Sequence, residues 1–89
     1  MPLYKLKISG RVQGVSYRYS TKKRALELGL TGLVKNEPNG TVYAEIEGSE
    51  AALQAMIDWC RTGPPYARVE SVEADAAPEK GYPSFEIIR

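Results

Sequence analysis

Hydrophobic and polar residues alternate along several short stretches of the chain, with the period of two that is typical of a strand buried on one face. The alternation predicts five strands, at Leu3–Ser9, Thr31–Asn36, Thr41–Glu47, Ala67–Ala74 and Ser84–Ile88. The fourth stretch changes phase between Val69 and Val72. A regular strand would expose one of these valines, so the phase change predicts a β-bulge or a bend.

Two longer segments have helical spacing instead. The first helix is predicted over Tyr17–Leu28, with an imperfect apolar stripe that leaves Tyr19 and Leu26 partly uncovered. The second helix begins after Ser49, a residue type favoured at helix N-caps, and ends before two consecutive prolines. Its buried face is predicted to consist of Leu53, Met56, Ile57 and Cys60.

The elements follow the order strand, helix, strand, strand, helix, strand, with a short terminal strand after them. Alternation on one face predicts an antiparallel sheet covered by two helices on one side, which is the ferredoxin-like α+β plan with strand order 4-1-3-2. The chain of 89 residues is expected to form a single domain over residues 1–89. Lys5 and Lys7 of the first strand are predicted to face Glu45 and Glu47 of the third across the open face of the sheet.

The segment GRVQGVSYR, residues 10–18, departs from the usual composition of a helix start. Arg18 falls in the first turn, where the helix dipole disfavours a cation by about 0.3–1 kcal/mol. Glycines in the segment permit unusual backbone angles, so successive peptide N–H groups can turn inward and form a concavity that binds an anion. An arginine fork would add charge-assisted bonds of about 1.5–3 kcal/mol each. The predicted phosphate-binding loop consists of Gln13, Gly14, Val15, Ser16 and Tyr17.

Topology brings a second polar residue toward this loop. Right-handed crossovers make the first and second strands run in the same direction with the third between them, so their carboxyl ends share one edge of the sheet. The loop leaves the first strand at that edge, and Asn36 ends the second strand there. Arg18 and Asn36 are therefore predicted to approach each other. The alternative interpretation is a solvated arginine beside glycines that only turn the chain.

Composition and charge exclude several classes of partner and of catalytic group. Lys and Arg number 12 against 11 Asp and Glu, and this balance gives no electrostatic footprint for nucleic acid or an anionic membrane. Histidine is absent and Cys60 is the only cysteine, which excludes disulfides, the usual zinc sites and imidazole-dependent nucleophiles. No apolar run reaches the length of a membrane span, and the first residues lack the apolar stretch of a signal peptide. A cytoplasmic location is expected.

Three segments, GRVQGVSYR, TGLVKNEPNGTVYAEIEG and GPPYARVESV, together resemble the acylphosphatase family over nearly the whole chain. Family members carry GRVQGVxFR, then a GWVRN-like strand with a DG or NG turn, then GPxxAxV, in this order and at these spacings. The resemblance implies an enzyme that hydrolyses a small-molecule acyl phosphate to a carboxylate and inorganic phosphate. A monomer is expected. It also implies that the reaction needs no metal and no organic cofactor.

The resemblance implies roles for two residues. Arg18 closes the first motif and would bind the phosphoryl oxygens together with the loop amides. Asn36 ends the strand motif and would orient the attacking water, while the substrate phosphate itself takes the water's proton. Three positions depart from the family pattern, namely Tyr17 for phenylalanine, Leu33 for tryptophan and Lys35 for arginine. The Tyr17 hydroxyl needs a partner if its ring is buried.

Two alternatives belong to other functional classes. One is a non-catalytic anion-binding or interaction module that has kept the same architecture. The other is binding of RNA bases by aromatic residues on the open sheet face, where Tyr43 is predicted to lie. The acidic Glu45 and Glu47 on that face, and the absence of an RNP-like aromatic motif, argue against nucleic acid as a partner.

Overall fold

A computed structural model describes all of residues 1–89 as one sheet with two helices. In chain order the elements are β1 (Leu3–Arg11), α1 (Tyr17–Glu27), β2 (Thr31–Asn36), β3 (Val42–Glu47), α2 (Glu50–Cys60), β4 (Arg68–Ala77) and β5 (Phe85–Ile88). Each predicted element is present. β4 continues to Ala77, three residues beyond its predicted end at Ala74, because its backbone remains paired with β1 as far as Leu3.

The strand order is β4-β1-β3-β2-β5, which contains the predicted order 4-1-3-2. The first four strands pair antiparallel, whereas β5 joins the sheet beside β2 and runs parallel to it. The sheet is therefore mixed, and the terminal strand extends it at the edge formed by β2. Both helices have eleven residues, and neither is long and apolar enough to cross a membrane.

One continuous core lies between the sheet and the helices. Its members come from the inward positions of every helix and of every strand but β4, among them Leu6, Ile8, Ala25, Ala44, Leu53 and Phe85. The predicted seam of α2 is buried, and the Ser49 hydroxyl accepts a hydrogen bond from the Ala52 amide at 3.3 Å as the predicted N-cap. Tyr19 and Leu26 of α1 are 69% and 57% exposed, as its imperfect stripe predicted.

The phase change in β4 is a β-bulge. Ser9 pairs with Ser71 but Gly10 pairs with Val69, so Glu70 is the extra residue. Both valines of this strand are thereby half-buried against the core. Gly10 has φ 122°, and an added Cβ would lie 2.1 Å from the Arg68 carbonyl oxygen. The close approach of the two strands at the start of the loop between β1 and α1 therefore requires glycine here.

The prediction that Glu45 and Glu47 face solvent on the open side of the sheet is wrong, because the β4–β5 loop folds over both. They are only 5% and 4% exposed. The Glu47 carboxylate accepts backbone N–H groups of Lys80 at 2.7 Å, Gly81 at 3.0 Å and Tyr82 at 2.8 Å. These backbone hydrogen bonds, the one from Gly81 first, lower the pKa of Glu47 below its ordinary value.

The Glu45 carboxylate is bound by side chains of the same loop and of its own strand. It forms an ion pair with Lys80 Nζ at 2.8 Å, and it accepts hydrogen bonds from the hydroxyl groups of Tyr43 and Tyr82. Burial alone would raise the pKa of Glu45, but these hydrogen bonds and the lysine charge outweigh it and hold the pKa at about 2. The loop is therefore attached to the sheet through two ionised carboxylates.

The predicted cross-strand pairs are corrected accordingly. Lys5 does stand opposite Glu45 in the register, but Glu45 is paired with Lys80 instead. Lys7 stands opposite Tyr43, and the residue opposite Glu47 on β1 is Leu3. Neither lysine forms an ion pair. These carboxylates are therefore bound by the β4–β5 loop, which is distant in sequence, and not by the lysines of β1.

We expect Glu45→Gln to destabilise the protein by about 1–3 kcal/mol at pH 7, because it removes a buried charge that Lys80 and two hydroxyl groups need as a partner. The stabilisation comes from a carboxyl whose pKa is lower in the folded than in the unfolded chain. It is therefore complete above about pH 5 and is lost as pH falls toward 2 in the wild-type protein. Urea denaturation at stepped pH should show a shallower loss of stability with acid in the variant.

Glu73→Gln is the matched control, since Glu73 is exposed on β4 and forms no ion pair. Its unfolding midpoint at pH 7 should equal that of the wild type. Equal midpoints for Glu45→Gln and Glu73→Gln would contradict the stabilising role of the buried carboxylate.

Candidate functional site

The loop between β1 and α1 has the backbone conformation that turns peptide N–H groups to one side. Gly14 has φ 72°, and Ser16 has φ 63° and ψ 24°, so both lie in the left-handed region. Ser16 is the only residue other than glycine with positive φ in the chain, a conformation that costs of order 1–3 kcal/mol. Left-handed residues in such a loop form a concavity of N–H groups suited to an anion.

The peptide N–H groups of this loop are free. Those of Gln13, Gly14, Val15 and Ser16 donate to no backbone or side-chain acceptor. Ser16 occupies the N-cap position of α1, yet its side chain forms no capping hydrogen bond. The first turn also contains no acidic residue. The positive end of the helix is thus left without the partners that usually satisfy it, as a site for an external anion requires.

Arg18 and Asn36 line the same pocket, as the topology predicted. The pocket has a volume of about 250 Å³ and lies at the carboxyl end of β2, over the start of α1. Nine residues line it, namely Val12, Gly14, Ser16, Tyr17, Arg18, Tyr19, Asn36, Ile87 and Arg89. Of the residues predicted for the phosphate-binding loop, Gln13 and Val15 are not among them.

The Arg18 guanidinium and the Asn36 Oδ1 atom form no hydrogen bond or ion pair with another group of the protein. Arg18 is half-buried and forms neither an ion pair nor a hydrogen bond within the protein. The Asn36 Oδ1 atom is buried and accepts no hydrogen bond. A buried acceptor without a partner costs about 1–3 kcal/mol, and such an exception in a folded protein calls for a role. Both groups are available to a ligand in the pocket.

Gln13 was predicted to bind the phosphoryl group, but it does not line the pocket. Its side-chain Nε2 donates to the carbonyl oxygens of Glu37 at 2.8 Å and Thr41 at 2.9 Å. These two residues flank the turn that follows Asn36. The side chain of Gln13 therefore ties the β1–α1 loop to the end of β2 and fixes the distance between the loop and Asn36.

Tyr17 anchors the start of α1 to the end of α2. Its hydroxyl donates to the Cys60 carbonyl oxygen at 2.7 Å, and its ring lies 5.8 Å from the Trp59 ring, centroid to centroid. This bond supplies the partner that the departure from phenylalanine requires. Burial raises the pKa of Tyr17, so the phenol stays protonated and supplies no base to the pocket. Cys60 is buried in the core as predicted, and burial raises its thiol pKa to about 12.

Four lining residues, Val12, Tyr19, Ile87 and Arg89, were missed by the sequence reasoning. The alternation of the terminal strand gives a signal for the latter two, since Phe85, Ile87 and Arg89 share one face. The alternation does not show which strand lies beside β5. Only its pairing with β2 brings that face to the pocket.

Fold and site together define a small α+β protein that brings unpaired loop amides, an arginine and an asparagine side chain to one end of the sheet. The family model described as Acylphosphatase matches residues 4–87. The chain therefore belongs to the acylphosphatase family.

Individual proteins agree with this assignment. The acylphosphatase of Rubrobacter xylanophilus is 50% identical over 74 residues, which are 83% of this chain and 67% of that protein. The crystal structure of acylphosphatase from Bacillus subtilis superposes with a TM-score of 0.97 at 33% identity and covers 100% of both chains. The structure of HypF from T. kodakarensis matches 100% of this chain with 12% of its own, at 30% identity and a TM-score of 0.88.

Proposed function

We propose that this protein hydrolyses acyl phosphates, with the phosphoryl group bound in the pocket by the amides of the phosphate-binding loop and by Arg18. The observation that carries this proposal is the shared pocket of Arg18 and Asn36 beside a loop whose N–H groups have no acceptor. Membership of the acylphosphatase family supports the reaction class.

Binding comes first. A phosphoryl group carries a charge of about −1.5 to −2 at pH 7, and each of its oxygens accepts hydrogen bonds strongly. The loop amides and the start of α1 meet these oxygens from one side, and the guanidinium fork of Arg18 can bind two of them. The same contacts stabilise the charge spread over the equatorial oxygens in the transition state, where they contribute to rate.

Attack by water follows. The Asn36 side chain holds a water molecule in line with the bond from phosphorus to the acyl oxygen. The water oxygen forms a bond to phosphorus, the bond to the acyl oxygen breaks, and the carboxylate leaves with the electron pair. None of the nine lining residues has an acidic side chain or an imidazole. A phosphoryl oxygen of the substrate therefore takes the water's proton, and the second product is inorganic phosphate.

The proposed substrate is a small molecule, and the pocket of about 250 Å³ has room for a phosphoryl group. The protein is proposed to be a monomer in the cytoplasm, and the free, buried Cys60 agrees with a reducing compartment.

We expect the purified protein to hydrolyse benzoyl phosphate in the presence of EDTA, since the proposed mechanism uses only groups of the chain and the substrate. Loss of the absorbance of benzoyl phosphate measures the rate. Absence of turnover above the uncatalysed rate, in a protein with a native circular dichroism spectrum, would contradict the proposal.

A second candidate is a non-catalytic anion-binding module of the same fold, since this fold also occurs as 12% of the longer HypF chain. The same assay separates the two. A module would bind inorganic phosphate in a calorimetric titration without turning over benzoyl phosphate, whereas the proposed enzyme does both.

A further inference from the structure

A second arginine lines the pocket, and the mechanism above does not use it. Arg89 lines the same cavity as Arg18 and Asn36. It is exposed, and it forms no ion pair or hydrogen bond with another residue of the chain. A free cation at the rim of the site needs its own explanation.

The sheet determines where Arg89 stands. β5 runs parallel to β2, and Ile88 pairs with Lys35 in the register. Arg89 follows Ile88, and Asn36 follows Lys35. These two residues therefore continue the same row at the end of the sheet. Arg89 therefore approaches the phosphoryl site from the edge formed by Asn36, whereas Arg18 approaches it from the start of α1.

The charge balance of the pocket favours a dianion. Two arginine residues line it, and none of the nine lining side chains is acidic. Two like charges in one small cavity repel each other until an anion binds between them. A phosphoryl group with a charge near −2 at pH 7 matches the pair, and a single arginine would leave about half of that charge without a partner side chain.

The position beside Asn36 also indicates which part of the substrate Arg89 meets. In-line attack places the water and the leaving carboxylate on opposite sides of phosphorus. A group beside the water-binding residue is far from the leaving acyl oxygen but can reach an equatorial phosphoryl oxygen. We infer that Arg89 is a second phosphoryl-binding residue that contacts an equatorial oxygen opposite the fork of Arg18, an inference that rests on the proposed function.

The direct test is the affinity for inorganic phosphate, measured by isothermal titration calorimetry on the wild type and on Arg89→Met, which keeps a long unbranched side chain without its charge. We expect the dissociation constant to rise about tenfold, equivalent to about 1.4 kcal/mol. Arg89→Lys should recover part of the affinity, because it restores the charge without the fork. Arg68→Met is the control, since Arg68 is also exposed without an ion pair but lies outside the pocket, and it should bind as the wild type does.

Turnover of two substrates separates phosphoryl from acyl contact. Arg89→Met should lower kcat/KM by the same factor for acetyl phosphate and benzoyl phosphate, because both carry the same carbonyl–O–PO₃ group and differ only in the methyl or phenyl substituent. A loss confined to benzoyl phosphate, or an unchanged dissociation constant for phosphate, would overturn the inference while leaving the proposed function intact. A wild-type protein that neither binds phosphate nor turns over either substrate would overturn the proposed function itself.

Discussion

Arg18→Ala is expected to lower kcat/KM for benzoyl phosphate by about 10³-fold or more. The variant loses a bidentate contact whose strength increases as charge spreads over the phosphoryl oxygens, and arginines in this role contribute about 10³–10⁵ in rate. Arg18 forms no other bond, so the substitution removes only the contact with the phosphoryl group. The other arginine of the pocket approaches from a different edge and cannot replace this contact. Steady-state kinetics with benzoyl phosphate measures the loss.

Two further variants make this result specific. Arg18→Lys keeps the charge but not the fork, and it should recover only part of the rate. Arg61→Ala removes an exposed arginine at the end of α2, outside the pocket, and should retain wild-type kinetics. Wild-type turnover by Arg18→Ala would exclude this residue from the site, whereas an altered circular dichroism spectrum would require Arg18→Lys to decide the matter.

Asn36→Ala is expected to lower kcat by about 10²–10³-fold while leaving KM nearly unchanged. The reason is that Asn36 positions the water and does not hold the phosphoryl group, so its contribution is made in the transition state. Its free Oδ1 gives up no structural hydrogen bond on substitution, so the fold should not weaken. The measurement is a full Michaelis curve for benzoyl phosphate together with a phosphate titration, in which the affinity should equal that of the wild type.

Asn39→Ala provides the matched control for this experiment. Asn39 lies in the turn after β2, where its Oδ1 accepts hydrogen bonds from the amide and the hydroxyl of Thr41. It lies outside the pocket and should leave kcat unchanged. An Asn36→Ala variant with a raised KM and an unchanged kcat would assign the residue to substrate binding rather than to water.

The three variants of the pocket are expected to give different patterns. Loss of Arg18 lowers both affinity for phosphate and kcat, loss of Arg89 lowers affinity with a moderate effect on rate, and loss of Asn36 lowers kcat alone. The patterns differ because the first residue acts from the helix start, the second from the end of β5, and the third on the water. A uniform effect of all three would indicate a general disturbance of the pocket.

Most of the fold could be predicted because its signals are local. Alternation located five strands, the Ser49 cap and the apolar seam located α2, and the phase change between Val69 and Val72 located the bulge. The approach of Arg18 to Asn36 was also predictable, although they are far apart in sequence. It follows from the handedness of the crossovers and the shared edge of parallel strands, which constrain the chain without any side-chain detail.

The predictions that were wrong or incomplete concern contacts between segments distant in sequence, which no local pattern contains. Alternation correctly assigned Glu45 and Glu47 to the face away from the helices, but it could not show that a loop more than thirty residues later covers them. In the same way, the pattern of the terminal strand placed Ile87 and Arg89 on one face without indicating which strand lies beside it.

The sequence by itself thus determined the elements, their order, the unusual loop at the start of α1 and the residues that carry its charge, because each depends on neighbours within a few positions or on chain handedness. Only the tertiary structure decided which amides remain without an acceptor, that Gln13 ties the loop to the turn after β2, and that Arg89 joins the pocket. These features depend on distances between separate segments, which are set by how the whole sheet and its helices pack together.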